Sequence, residues 1–163
     1  MQDPGSNPGS STNKCLRRVE HITMLEVYTA GFLDADGSVS LAKHKTGAEW
    51  MRTPTVEFYN CDKGILDKIS ERWGGNIGSK KPNTPNSNVS YELRIGGNKA
   101  LKLLDDVAPH MLHSKKGRRA RLIVEHYRNC TPRNGKYTPE QIEKKKWLTE
   151  EVMGIVMRGK GAY

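Results

Sequence analysis

Apolar residues change their period several times along this chain, and each change predicts an element. Leu16, Val19, Ile22, Leu25, Tyr28 and Phe32 recur at three- and four-residue spacing, which predicts a helix around residues 17 to 33, open to a break near His21 to Thr23 and ended by Gly37. From Ser38 to Lys45 the period drops to two: Val39 and Leu41 point one way, Ser40, Ala42 and His44 the other. Thr53 to Asn60 repeats the alternation, with Val56 and Phe58 opposed to Thr55, Glu57 and Tyr59. Asp62 can cap a second helix whose apolar face is Ile65, Leu66, Ile69 and Trp73, and Gly74-Gly75 ends it. Two more strands, Asn76 to Lys80 and Ser90 to Ile95, flank a turn rich in Pro, Asn and Ser from Pro82 to Asn88. In the second of them Tyr91, Leu93 and Ile95 alternate with Ser90, Glu92 and Arg94. Asn98 is placed to cap a helix carrying Ala100, Leu101, Leu103, Leu104 and Val107, which Pro109 should end. The order is αββαββα, an α+β fold.

Lys115 to Tyr127 reads as a further helix with Ala120, Ile123, Val124 and Tyr127 inward, and Thr138-Pro139-Glu140-Gln141 opens another. In that last helix Ile142, Trp147, Val152 and Val156 are sparse apolar positions. Residues 1–14, rich in Gly, Pro, Ser and Asn, cannot bury enough apolar surface to offset their ordering entropy and read as a flexible or extended arm. The chain then divides into one domain over 15–130 and a basic helical extension over 131–163.

Charge adds a partner to this picture. The net charge is +9 on 163 residues, and from His113 onward thirteen Lys and Arg face only five Glu. So uneven a distribution points to a polyanion such as nucleic acid, whose condensed counterions are released on binding. The basic tail is expected to pack on the domain surface or to extend along DNA. No apolar run approaches the ~20 residues that span a bilayer, and Met1-Gln2-Asp3-Pro4-Gly5 lacks the features of a signal peptide. An intracellular protein with no membrane partner is expected. Cys15, Cys61 and Cys130 form no Cys-x-x-Cys pair, which argues against a zinc site or a disulfide framework. Reduced thiols are expected, with a Cys15 to Cys130 bridge left open.

Candidate chemistry begins where the first helix ends. Tyr28-Thr29-Ala30-Gly31-Phe32-Leu33-Asp34-Ala35-Asp36-Gly37-Ser38 runs from the helical pattern into two carboxylates. The last turn of a helix carries partial negative charge, so Asp34 and Asp36 cost stability there unless a cation compensates. A hard cation such as Mg²⁺, which prefers carboxylate, carbonyl and water oxygens, would meet that need. The other ligands of a calcium-type loop are missing after Gly37.

The string YTAGFLDADGS resembles the LAGLIDADG signature, and residues 24 to 130 resemble the elements that follow it in LAGLIDADG homing endonucleases. Ala30-Gly31, Asp36 and Gly37 fall where that pattern has them, and no second copy follows. The resemblance implies the αββαββα fold with a saddle-shaped antiparallel sheet and additional C-terminal helices. From a single motif it implies an intron-encoded homodimer that makes a metal-dependent double-strand break in a long, roughly palindromic DNA site. It makes Asp36 the metal-binding acid and the carbonyl of Ala35 a further ligand, with Mg²⁺ as cofactor, other divalent cations substituting. Asp34 keeps three readings: a direct role, a cap for backbone groups, or a pair across the dimer. Lys116, with Lys115 as fallback, matches the lysine that starts a late helix and stabilises developing charge. Asn60 matches a polar residue that orders water, or simply ends its strand. Ala30 and Gly31 would let two helices approach across the dimer.

A two-stranded ribbon fits the major groove, and period-two alternation delivers every second side chain to it. The candidate reading face is therefore Ser40, Ala42, His44, Thr55, Glu57, Tyr59, Lys80, Ser90, Glu92 and Arg94, with Lys115, Arg118 and Arg119 as further DNA contacts. Glu57 and Glu92 favour sequence recognition, since Glu can accept from cytosine N4. Two rivals stand beside the nuclease: an intron maturase of the same fold that binds RNA, and a DNA-binding regulator that does not cleave. Asp36 and the mixed charge of the reading face favour the nuclease.

Overall fold

The computed structural model describes residues 23–46, 49–80, 88–133 and 135–156. The N-terminal arm, Leu16, Val19, Ile22, Cys15 and most of the Pro82 to Asn88 turn lie outside the described residues.

Helix α1, Met24–Ala35, starts at the break that the sequence allows. Thr23 Oγ1 accepts from the Glu26 N–H at 3.3 Å and Glu26 accepts from the Thr23 N–H at 2.9 Å, a reciprocal cap that satisfies two otherwise orphaned donors. Its inward face is Glu26, Thr29, Ala30 and Leu33, shifted from the expected stripe: Tyr28 is half exposed. Small Ala30 and Thr29 let the helix lie close on the core, and Phe32 reaches back to the Phe58 ring, 5.3 Å away.

Strands β1 (Ser38–Thr46) and β2 (Glu49–Asn60) pair antiparallel from Ser38↔Glu57 to Thr46↔Glu49, so β2 begins four residues before the expected Thr53. Helix α2, Lys63–Trp73, is capped by Asp62, whose Oδ1 accepts from the Gly64 N–H at 2.8 Å. Strands β3 (Asn76–Lys80) and β4 (Ser90–Gly96) complete one antiparallel sheet in the order β1-β2-β4-β3. Helix α3, Gly97–Val107, follows β4 without a loop. Gly97 takes φ +63°, a left-handed turn that suits glycine, so Gly96 is the N-cap residue and Asn98 lies inside the helix instead of capping it. A single 3₁₀ turn at Ala108–His110 leads to helix α4, Ser114–His126, and then helix α5, Pro139–Gly154.

One sheet face (Val39, Leu41, Val56, Phe58, Leu93, Ile95) is buried against Leu66, Ile69, Trp73, Leu101, Leu104, Ala120 and Ile123. Leu148 and Val152 of α5 join the same core, whereas Trp147 and Val156, which the sparse pattern selects, are exposed. Leu148 is missed by that pattern, as is Lys145, also buried. Its ammonium donates to Tyr137 Oη (2.6 Å), Thr131 Oγ1 (3.2 Å) and Tyr127 Oη (3.4 Å) and lies 4.7 Å from both tyrosine ring centres. All three N–H donors and the charge are thus accommodated without a carboxylate. Cys61 is exposed and Cys130 buried, both free, and burial pushes the Cys130 thiol up. No described helix is long and apolar enough to cross a membrane.

Candidate active site and nucleic-acid interface

The C-terminus of α1 presents carbonyl oxygens with no partner in the helix, at the negative end of its dipole, and the last turn holds no basic residue. The missing cation comes from α4. Lys116 Nζ donates to the carbonyls of Leu33 (3.1 Å), Asp34 (2.7 Å) and Ala35 (3.1 Å). Burial pulls the Lys116 ammonium below its ordinary pKa, while Asp34 and Asp36 oppose that shift. Lys115, one residue earlier, is exposed and makes no such contact.

Asp34 completes the junction in the reverse sense. Its Oδ2 accepts from the backbone N–H groups of Leu112 (2.6 Å) and His113 (3.0 Å), the segment that enters α4. Within the chain this is the backbone-capping arrangement, one of its three readings. Oδ1 is buried with no partner. His113 in turn caps α4, its Nδ1 accepting from the Lys116 N–H at 3.3 Å. Neither the Leu112–His113 backbone nor the His113 cap carries a sequence signal beyond its place before a basic helix.

Asp36 is the C-cap of α1, its N–H bonded to Phe32 O at 3.0 Å. Its carboxylate is exposed and makes no hydrogen bond or ion pair among the described residues. Gly37 fixes its approach: a Cβ at residue 37 would stand 2.4 Å from Leu33 Cδ1 and 2.9 Å from Leu33 Cα. Asn60 ends β2, and its Oδ1 accepts from the Asp62 N–H at 2.8 Å, a turn that stops the strand. No cluster of three or more metal-ligating side chains exists among the described residues.

The open face of the sheet carries the residues expected to read DNA, several of them bonded within the chain. By register Ser40, Ala42, His44, Glu57, Tyr59, Lys80, Ser90, Glu92 and Arg94 share it. Thr55 shares the register but is 4% exposed, and its hydroxyl donates to the Thr53 carbonyl. His44 is tied to Thr53 Oγ1 at 2.6 Å. Glu57 and Arg94 pair at 3.3 Å, and Glu92 and Lys80 at 2.9 Å.

Arg119 is held within the chain. Its Nη1 donates to Val39 O at 3.2 Å and its Nη2 to Ile155 O, clamping the end of α5 to β1, and burial lowers its pKa. Arg118 and Lys115 remain exposed beside a cleft of about 560 Å³ that α4 shares with the end of α5. Ala30 is fully buried in its own core, whereas Gly31 is exposed and a Cβ there would meet nothing within 4 Å.

No family model and no curated protein sequence matches the chain. Solved structures do. The chain is similar to the homing endonuclease I-CvuI, solved in complex with its DNA target, at TM-score 0.62 and 18% identity over 85% of each chain. It is similar to the archaeal intron-encoded homing endonuclease I-Vdi141I, complexed with DNA, at TM-score 0.58 and 21% identity over 85% of this chain and 87% of that one. It also matches I-GzeII, a LAGLIDADG homing endonuclease in complex with a DNA target, at TM-score 0.53 and 18% identity, there covering 46% of the longer chain.

Proposed function

We propose that this chain, whose fold is that of the LAGLIDADG homing endonucleases, works as a homodimer that cuts both strands of a specific, roughly palindromic duplex. The observation that supports this reading most is Asp36, an exposed carboxylate with no hydrogen bond or ion pair among the described residues, at the negative end of a helix beside the Lys116 ammonium. Mg²⁺ is typically bound by one or two carboxylates with water and substrate phosphates filling the remaining positions, and one free aspartate per chain fits that donor set. When bound, the ion supplies Lewis acidity towards the phosphoryl group and a more acidic water.

Asp36 would hold the ion, and the Ala35 carbonyl would join only where Lys116 releases it. Lys116, fixed by three carbonyls, keeps a positive charge beside the reacting phosphate and stabilises the charge that develops there. Asn60 uses its Oδ1 for the strand-ending turn, and its amide N–H donors could order a water. Gly37 holds the Asp36 backbone against Leu33.

Met24, Val27, Tyr28 and Gly31 form the exposed side of α1. A second copy packed on this stripe by a twofold axis brings one Asp36 from each chain to the centre of the site, and identical reading faces to two half-sites. The sheet supplies sequence readout, while Lys115 and Arg118 supply phosphate contacts that position without specifying.

Selection of cleaved sites from a random duplex library in Mg²⁺ tests the reading. The expected product is a population of double-strand breaks at one pseudo-palindromic sequence. Intact duplex throughout, even with tight binding, would remove the nuclease function.

A further inference from the structure

Two cations on the open sheet face are each held by a carboxylate, and the two carboxylates share one phenol. Arg94 Nε lies 3.3 Å from Glu57 Oε1, its cross-strand neighbour. Lys80 Nζ lies 2.9 Å from Glu92 Oε2 and 4.7 Å over the Tyr59 ring. Tyr59 Oη is 3.1 Å from Glu57 Oε2 and 3.4 Å from Glu92 Oε1, and Ser38 Oγ adds a bond to Glu57 Oε2 at 3.3 Å. A phenol has one proton, so it can fully satisfy only one carboxylate at a time. Burial first, and then the two carboxylates, push Tyr59 up to about 12, which keeps that proton in place at neutral pH.

Arg94 pairs across the sheet with Asn76, four residues from Lys80 along β3, roughly 13 Å at strand rise. The two cations therefore address different base pairs. We propose that Tyr59 is a positioning residue that couples them, its single hydrogen bond passing between Glu57 and Glu92 according to which cation has left for the DNA. This rests on the sheet being the DNA-reading face. When Arg94 turns to a guanine, Glu57 loses its counter-charge and takes the phenol proton's bond. Glu92 is then left to Lys80 alone and holds it more tightly. Reading by Arg94 thus weakens reading by Lys80, and the reverse holds by the same exchange.

The test is a cycle made in the DNA. Binding selections with the wild-type chain, Arg94→Ala and Lys80→Ala identify the base position that each cation reads. Affinity is then measured for the preferred duplex, the two single base changes and the double change. With wild-type protein the double change should cost more than the two single costs combined, by roughly fivefold in Kd. With Tyr59→Phe, which keeps the ring under Lys80, the costs should combine additively. Glu92→Gln, which leaves the phenol in place but removes one carboxylate, should also abolish the excess.

Additive costs in the wild type, an excess that survives in Tyr59→Phe, or no change of base preference in either alanine variant would overturn the coupling. Each of these results leaves the nuclease reading standing. Absence of sequence-specific duplex binding by the wild-type chain would instead overturn that reading, and the coupling with it.

Discussion

The two ends of α1 both carry acids, for opposite reasons. At the N-terminus Glu26 lies where the helix dipole favours a negative charge, closes a reciprocal cap with Thr23, and pairs with Arg72 at 3.1 Å. These contacts hold its carboxyl below the usual range, the Thr23 N–H contributing most. At the C-terminus Asp34 and Asp36 lie where the dipole disfavours them. Asp34 is spent on the backbone of Leu112 and His113, Lys116 covers three carbonyls, and Asp36 makes no hydrogen bond or ion pair among the described residues. One end is arranged as stability alone would arrange it. The other keeps an exposed carboxylate offset only by the nearby Lys116 charge, and function is the reason to look for there.

Asp36→Asn breaks the comparison most sharply. Cleavage should fall by on the order of 10³-fold, the equivalent of several kcal/mol of lost charge stabilisation, while affinity for the duplex stays close to wild type. Thermal stability should hold or rise slightly, because the substitution removes a negative charge from the negative end of a helix, worth about 0.3 to 1 kcal/mol. Cleavage assays and thermal melts on one preparation read both. Near wild-type cutting at saturating Mg²⁺ would take Asp36 out of the mechanism.

Lys116→Met keeps the length of the side chain and removes the charge that joins α4 to α1. Here activity and stability should fall together: cleavage by roughly 10²-fold or more, and stability by about 2 kcal/mol as three carbonyls lose a charged donor. A variant that melted like wild type would show that water replaces the ammonium at no cost. Lys115→Met should leave the melting temperature unchanged, since that side chain is exposed and caps nothing.

Gly37→Ala tests whether the corner tolerates crowding. The added methyl would stand 2.9 Å from the Leu33 Cα, which cannot turn aside as a side chain can. A loss of roughly 1 to 3 kcal/mol is expected, with cleavage falling further than binding because Asp36 is the residue displaced. Equal losses of cleavage and binding would point to general unfolding.

The motif at this corner is readable in sequence because its signals are local: two acids at fixed spacing, a glycine after them, and a change of period from helix to strand. The same holds for the alternation that buries Val39, Leu41, Val56, Phe58, Leu93 and Ile95. What Asp34 does is not local, since it depends on the fold bringing residues 112 and 113 to the end of α1. The intrachain bonds of Thr55 and Arg119 are not legible in the sequence for a related reason. Period two places Thr55 on the open face of the sheet, but its burial there depends on its neighbours. Composition places Arg119 among basic surface residues, but the carbonyls of Val39 and Ile155 claim it. Lys145 is missed because a lysine reads as surface unless two tyrosines and a threonine, eight to eighteen residues away in sequence, are known to enclose it.

The smallest effect lies at the compensated end. Glu26→Gln keeps the capping box, which glutamine also forms, and removes the charge that Arg72, the Thr23 N–H and the helix dipole favour. Arg72 is half exposed, so the pair is screened and the loss near neutral pH should stay under about 1 kcal/mol. The sign follows from the lowered carboxyl: its stabilisation is fully present above the unfolded-state pKa of ~4.3 and is lost as pH falls through the lower folded-state value. Wild type and Glu26→Gln should therefore differ most near neutrality and converge in acid, in denaturant melts taken from pH 7 downward. A gap that widened on acidification would mean that the Glu26 charge is a burden on the fold, and the contrast between the two ends of α1 would fail at its better-compensated end.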